Sequence, residues 1–477
     1  MSGFVRETIL AMTYGVTAET DVAVLMLTVP DLLVNILMGG ALGAVLIPEF
    51  TQQPKTARKL LYQSLMVLGG VFLCVAALLH WKTGLLVDAL VPGFGADQLQ
   101  KASVAVGWVV WLIPLTVLAG GVTAYLHSQN KFAVASLGTL IVNCSIIIGL
   151  LLKYYGKGGL YSLALFVLLG GVLRLGSQLW LVRPCWHPFS SLYPKLLTKD
   201  LLTRYGQAML SGSVLLLFPV VARCFASYGD AGSVAIFNFS TRLVDFPLSI
   251  AVTFLIIIFF PKLCQSAGED NAMHQRLIRY GVQLTLVLSI LAAITLAELS
   301  EAYVQLVYGH GNMEADSLAV ISALTAIGLV SLPLQGLSNF LTAVFNSRKN
   351  TITPLILNGI GLFLFFILCQ FSVLGTGLQA LMKSMVLSYG VICVLQVYCL
   401  KKERISLSFI ILDKSFMTSF VCAAALIIGA SYQIRIAGFS ALLSLLLACG
   451  AAVLTLISMA LFNTELRNEV KAWVSNR

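Results

Sequence analysis

Thirteen apolar stretches long enough to cross a bilayer decide what this chain can fold into. A membrane helix needs about 20 apolar residues. Such segments run over roughly 19–49, 62–80, 102–126, 132–152, 159–182, 205–226, 231–260, 280–297, 317–345, 351–372, 377–400, 415–434 and 437–462, after a short apolar stub at 1–14. Composition agrees: 10% of residues are charged, where a soluble domain carries about 25%. The chain is therefore expected to be an all-α polytopic membrane protein.

Chemistry that needs clustered titratable groups is disfavoured. There are 20 acids, and His80, His127, His187, His274 and His310 lie far apart. The ten cysteines include no CxxC and sit mostly in apolar runs, where a thiol behaves as a small hydrophobe. No catalytic centre, metal or cofactor is expected, and the partners are the bilayer and whatever crosses it. The net charge of +10 is a matter of topology rather than of nucleic acid. Twenty Lys and Arg fall in one set of alternate connections, which includes Lys55, Arg58, Lys59, Arg183, Lys195, Arg204, Lys401, Lys414 and Arg467. Five fall in the other: Lys82, Lys101, Lys153, Lys157 and Arg435. The positive-inside rule puts the first set and the C-terminus in the cytoplasm.

The remaining five cations, Arg6, Arg174, Arg223, Arg242 and Lys383, fall within spans. Arg242 lies roughly 16 Å deep at 1.5 Å per residue, where a charge costs about 2.5–3.5 kcal/mol. Asp245 shares its helix face; the alternative to a functional role is that the two pair and lock the helix. Arg6 precedes Gly15 by nine residues and has Glu7 beside it. Arg223 and Lys383 sit close enough to outer span ends to snorkel, while Arg174 lies deeper. Asp21 and Asp31, at the early turns of the second span, read as N-cap or wet-face residues. The glycine pairs Gly69-Gly70, Gly120-Gly121 and Gly170-Gly171 read as close-packing sites, and Gly39-Gly40 with Gly43 as a hinge.

The chain also matches itself at an offset of about 215 residues, a repeat to be sought before fold reasoning. Tyr14-Gly15 meets Tyr228-Gly229, Leu90-Val91-Pro92-Gly93 meets Leu306-Val307-Tyr308-Gly309, Pro114 meets Pro333, and Thr123-Ala124 meets Thr342-Ala343. Six spans per repeat predict two six-helix lobes related by a twofold axis along the membrane normal. The N-lobe covers 1–182, the C-lobe 205–400 and two added spans 415–462, followed by a cytoplasmic tail at 463–477. By the same offset the stub at 1–14 reads as the second half of a truncated first helix.

The opening Gly3-Phe4-Val5-Arg6-Glu7, then Tyr14-Gly15, Thr20-Asp21, Pro30-Asp31-Leu32-Leu33 and Ile47-Pro48 resemble the MurJ/MviN lipid II flippases of the multidrug/oligosaccharidyl-lipid/polysaccharide exporter superfamily. Pro92-Gly93-Phe94, Arg242-Leu243-Val244-Asp245-Phe246-Pro247 and Ser347-Arg348 continue it in family order. The resemblance implies a bacterial inner-membrane transporter that turns an undecaprenyl-pyrophosphate-linked peptidoglycan precursor to the outer leaflet by alternating access. It implies Arg6 and Arg242 as pyrophosphate ligands, with Glu7, Asp21 and Asp245 in the same site and Arg174, Arg223 and Lys383 as weaker candidates. The arginine pair usual after the Pro-x-Leu-Leu segment is replaced by Val34-Asn35. Rival expectations are a flippase for another undecaprenyl-linked glycan and a cation-coupled exporter. The latter needs buried carboxylates, and no acid occurs between Asp316 and Glu403.

Overall fold

The computed structural model describes residues 2–38, 46–47, 50–51, 56–129, 131–182, 214–269, 271–348, 350–373, 377–402, 414–437 and 439–462. The hinge read at Gly39-Gly40, the loop at 183–204 and the tail at 463–477 lie outside the described residues. Hydrocarbon offers no water to unpaired backbone groups, and the described residues are accordingly helical, with no strand among them.

Two compact units divide the chain. The first holds residues 1–235 with 311–313, the second 236–310 and 314–477. In the first, α1 (Ser2–Tyr14) and α2 (Ala18–Met38) are followed by α3 (Ala57–Trp81), α4 (Thr83–Leu90), α5 (Ala96–Val109), α6 (Leu112–Ser128), α7 (Phe132–Tyr154) and α8 (Leu160–Val182). A 3-10 turn (Val214–Leu217) then runs into α9 (Phe218–Ala226). The second unit takes most of α10 (Ser233–Glu269), then α11 (Asn271–Glu298), α12 (Ser300–Tyr308), α13 (Ala315–Leu329), α14 (Leu332–Ser347), α15 (Ile352–Val373), α16 (Gly377–Lys402), α17 (Lys414–Ile436) and α18 (Ala441–Phe462).

The described part of every apolar segment is helical apart from short turns. Among the described residues, seven helices are long and apolar enough to cross a membrane, or nine when each bent pair counts as one span. Outside that count stand α2, which carries Glu19, Asp21 and Asp31, and α9, α17 and α18, although α17 runs for 23 residues and α18 for 22. Two spans expected as single helices are interrupted, α5–α6 before Pro114 and α13–α14 before Pro333. Proline lacks the N–H that would continue the ladder, and the chain closes each break with tighter bonds. Trp111 N donates to Trp108 O at 3.3 Å and Ser331 N to Gly328 O at 2.9 Å; the second pair bends by 44°. The short helices α4 and α12, each preceding a repeated glycine loop, are additions to the sequence reading.

Each unit builds its core the same way. α7 packs on α8, α3 on α6 and α4 on α5 in the first; α15 packs on α16, α11 on α14 and α12 on α13 in the second. The repeat extends to single bonds. Buried Gln178 on α8 donates from Nε2 to Thr123 Oγ1 on α6 at 3.1 Å, and buried Gln396 on α16 donates to Thr342 Oγ1 on α14 at 3.1 Å. Phe340, Val344 and Phe345 of α14 centre the second core, against Leu263, Ile278, Val282 and Leu400. α17 and α18 pack on each other and on α11 and α12. Glycines allow the closest approaches, as expected: a Cβ on Gly170 would stand 3.1 Å from the Val142 Cα.

The paired clamps give a test. Gln178→Ala with Thr123→Ala, and Gln396→Ala with Thr342→Ala, are expected to give coupling energies of about 0.6–1.7 kcal/mol in each unit. Double-mutant cycles on thermal or denaturant unfolding in detergent measure this, and coupling in one unit alone would contradict the equivalence.

Candidate functional site

α1 packs against α7, where Asn143 Nδ2 donates to Ser2 Oγ at 3.0 Å. This seats Arg6 in the interior, 7% exposed. Its Nη2 donates to Glu7 Oε1 at 2.9 Å and to Asp31 Oδ2 on α2 at 3.4 Å. The two carboxylates are unlike: the Glu7 side chain is 5% exposed and that of Asp31 47%. One cation thus sits between a tight buried partner and a longer, wetter one.

The end of α1 is held as firmly. Its last carbonyls are orphans of the helix ladder. Asn312 satisfies two of them, donating from its backbone N to Met12 O at 3.0 Å and from Nδ2 to Thr13 O at 2.7 Å. Gly15 follows at φ +62°, and a Cβ there would collide with the Asn312 carbonyl oxygen, so both backbone conformation and contact call for glycine. Asp21, 2% exposed, spends both oxygens on one helix start: Oδ2 accepts from Gly232 N and Oδ1 from Ala235 N, each at 2.7 Å. The sequence reading of Asp21 as a cap holds in kind, but the helix it caps is α10, more than 200 residues on. A carboxylate against a helix N-terminus is stabilising on both hydrogen-bond and dipole grounds.

Arg242 and Asp245 lie on α10, with Arg242 half-buried and Asp245 exposed. The helix carries Pro247 two residues beyond Asp245, and that proline leaves the Leu243 carbonyl without its i+4 donor. Tyr303 of α12 supplies one, its hydroxyl donating to Leu243 O at 3.1 Å; Tyr308 donates to Phe239 O at 3.4 Å. The short helix α12 therefore repairs the backbone beside Arg242 through Tyr303, while Tyr308 adds a longer bond to a carbonyl that already has the Leu243 N–H in the i+4 position. Beyond Pro247, Ser233–Ile250 and Phe254–Ser266 meet at 46°.

The weaker candidates part ways. Lys383 is exposed, as snorkelling expects. Arg223 is 7% exposed and buried in the first unit, which the snorkelling expectation did not foresee. Arg174 is half-buried on α8. The structure brings Arg6, Glu7 and Asp31 together in the first unit and holds Arg242 and Asp245 on one helix of the second. Asp31, Tyr303 and Asn312 were not singled out as site residues. Pro247 was the available signal for Tyr303, since a proline inside a buried helix demands an outside donor.

The family described as Lipid II flippase MurJ matches residues 10–456. The chain belongs to the MurJ family. Similar relatives are the probable lipid II flippase MurJ of Rhizobium tropici, 25% identical over 369 residues, 74% of this chain and 69% of that protein, and that of Borreliella burgdorferi, 22% identical over 431 residues, 88% and 84%. The lipid II flippase MurJ of Burkholderia cenocepacia is 25% identical over 375 residues, 74% and 72%. Among solved structures, a lipid II flippase MurJ in an inward closed conformation superposes with TM-score 0.82 at 17% identity, covering 96% of both chains. An inward-facing multidrug resistance MATE family transporter of the MOP superfamily does so with TM-score 0.72 at 13% identity, covering 87% of this chain and 96% of that one. The MurJ fold thus accounts for the helix order described above.

The Tyr303 repair predicts a cycle. Tyr303→Phe leaves a buried carbonyl unpaired and is expected to cost about 1–3 kcal/mol. Adding Pro247→Ala returns an N–H to Leu243 O and recovers most of that loss. Unfolding in detergent reads both, and a Tyr303→Phe protein as stable as the parent would contradict the role.

Proposed function

We propose that this chain carries lipid II, the undecaprenyl-pyrophosphate-linked peptidoglycan precursor, from the inner to the outer leaflet of the bacterial cytoplasmic membrane by alternating access. The observation that carries the reading is the MurJ match over 10–456 on a chain that keeps a buried arginine at the family's Phe-Val-Arg-Glu opening. A guanidinium suits a pyrophosphate because it stays charged and makes bidentate charge-assisted hydrogen bonds. The positive-inside count supports a cytoplasmic C-terminus and cytoplasmic loops around Lys55–Lys59 and Lys401–Lys414.

The Arg6 geometry shapes the mechanism. An arriving pyrophosphate competes with carboxylates already on the guanidinium. Asp31, at 3.4 Å and half exposed, yields first, while Glu7, at 2.9 Å and buried, stays as the residue that orients Arg6. Binding is thus an exchange of one anion for another, which limits the cost of holding an unpaired charge in either state. Arg242 supplies a second guanidinium from α10, with Asp245 near it on the helix face. Asp21 acts as a positioning residue through its cap on α10.

Rescue of cells depleted of their own lipid II flippase tests the function; no rescue at normal membrane levels would reject it. Within that assay Arg6→Ala should abolish transport and, by breaking a buried pair worth about 3–5 kcal/mol to break, lower the protein level. The double change Arg6→Ala with Glu7→Gln should recover the level without recovering transport. Arg242→Ala should abolish transport at normal levels, and Arg242→Lys should impair it, because an ammonium does not reproduce the planar fork. Transport by either alanine variant at the parental rate would remove that arginine from the site.

A further inference from the structure

The two halves share the Gln–Thr clamp but differ one turn away from it. Counted from the anchors Thr123/Thr342 and Gln178/Gln396, Gly138 of α7 corresponds to Leu357 of α15, and Arg174 of α8 to Ile392 of α16. In the second unit the pair is apolar and buried, Leu357 at 6% and Ile392 at 0%. In the first unit a glycine stands where the leucine is, and an arginine where the isoleucine is. The exchange is concerted in space. A Cβ on Gly138 would lie 3.0 Å from Arg174 Cγ, 3.2 Å from Arg174 Nε and 2.7 Å from Gln178 Nε2. Gly138 is thus the floor over which the Arg174 side chain crosses α7.

Among the described residues no acid pairs with Arg174, and its Nε is buried with no hydrogen-bond partner. The residue as a whole is half-buried. It lies eight residues before the end of α8 at Val182, about 12 Å of helix, so its head reaches toward the headgroup level while its stem stays in hydrocarbon. A cation kept at that depth, without an acidic partner among the described residues and over a glycine, fits an anion from outside the protein. A guanidinium in this setting selects phosphate oxygens.

We propose that Arg174, cradled by Gly138 and Gln178, binds the phosphate group of a membrane lipid at the α7–α8 surface. This site uses neither Arg6 nor Arg242, and it does not rest on the transport reading, since it needs only a phosphate-bearing amphiphile in the adjoining leaflet. The source is either a glycerophospholipid headgroup or a polyprenyl pyrophosphate.

The test is lipid binding to the purified full-length protein by native mass spectrometry after delipidation. Three probes are titrated: dioleoylphosphatidylglycerol, undecaprenyl pyrophosphate, and dioleoylglycerol, which lacks a phosphate. The variants are Arg174→Ala, Arg174→Lys and the double change Gly138→Leu with Arg174→Ile, which installs the apolar pair of the other half once the Gln178 side chain, 2.7 Å from the new Cβ, has shifted, its folding being checked by thermal unfolding. The expected result is binding of at least one phosphate-bearing probe to the parent about tenfold or more tightly than to Arg174→Ala and to the double variant, the effect of losing a charge-assisted pair. Arg174→Lys should fall between, and dioleoylglycerol should bind all forms alike. The probe that loses most identifies the source. Equal binding of both phosphate-bearing probes to the parent and to the folded double variant would overturn the site, as would a loss that extends equally to dioleoylglycerol.

Discussion

Every break in a buried helix must find its hydrogen-bond partners inside the protein, and this constraint organises the whole structure. In hydrocarbon an unpaired N–H or C=O costs several kcal/mol, so breaks and helix ends are answered either by a residue elsewhere in the chain or by a tightened local turn. Pro247 opens the ladder beside Arg242 and Tyr303 closes it. α1 ends at Tyr14 and Asn312 takes its last carbonyls. α10 begins at Ser233 and Asp21 takes N–H groups at Gly232 and Ala235. The prolines at 114 and 333 are answered locally by tightened turns. Residues that look unrelated in sequence are therefore fixed by one requirement.

The same solvent makes charge the second constraint. Arg6 is neutralised by Glu7 and Asp31. Arg242 sits where the helix backbone has been repaired by α12 and where Asp245 shares the face. Arg174 is accommodated by removing a side chain, at Gly138, rather than by adding an acid. A paired arginine can exchange its partner for a substrate anion, whereas a cradled one holds its donors ready. The difference in environment separates the two proposed roles more sharply than residue type does.

The fold was legible because period and length are local properties. The apolar segments, the repeat and the intramembrane cations all follow from counting along the chain. What escaped the sequence is long-range or compensatory. α4 and α12 are too short to register as spans, yet α12 carries Tyr303. Asp31 stood in the Pro-Asp-Leu-Leu segment without any mark that it reaches Arg6, 25 residues earlier. Asp21 read correctly as a cap, but nothing near it named the start of α10 as its helix. Arg223 was placed by its distance from a span end, and packing around α9 buries it. Distance along a helix sets depth, but neighbours decide exposure.

The repeat also separates scaffold from function. Carried across by Tyr14-Gly15 and Tyr228-Gly229, Arg6 aligns with Val220 and Arg242 with Thr28; carried across by the Gln–Thr anchors, Arg174 aligns with Ile392. Each of these cations occurs in one half only, whereas the Gln–Thr clamp and the prolines in the first turn of α6 and α14 occur in both, as do the aligned Asp31 and Asp245. Packing groups persist in duplicate because both halves meet the same bilayer. A cation proposed to hold a substrate anion is under no such requirement, so Arg6 and Arg242, as proposed ligands, need no counterparts in the other half.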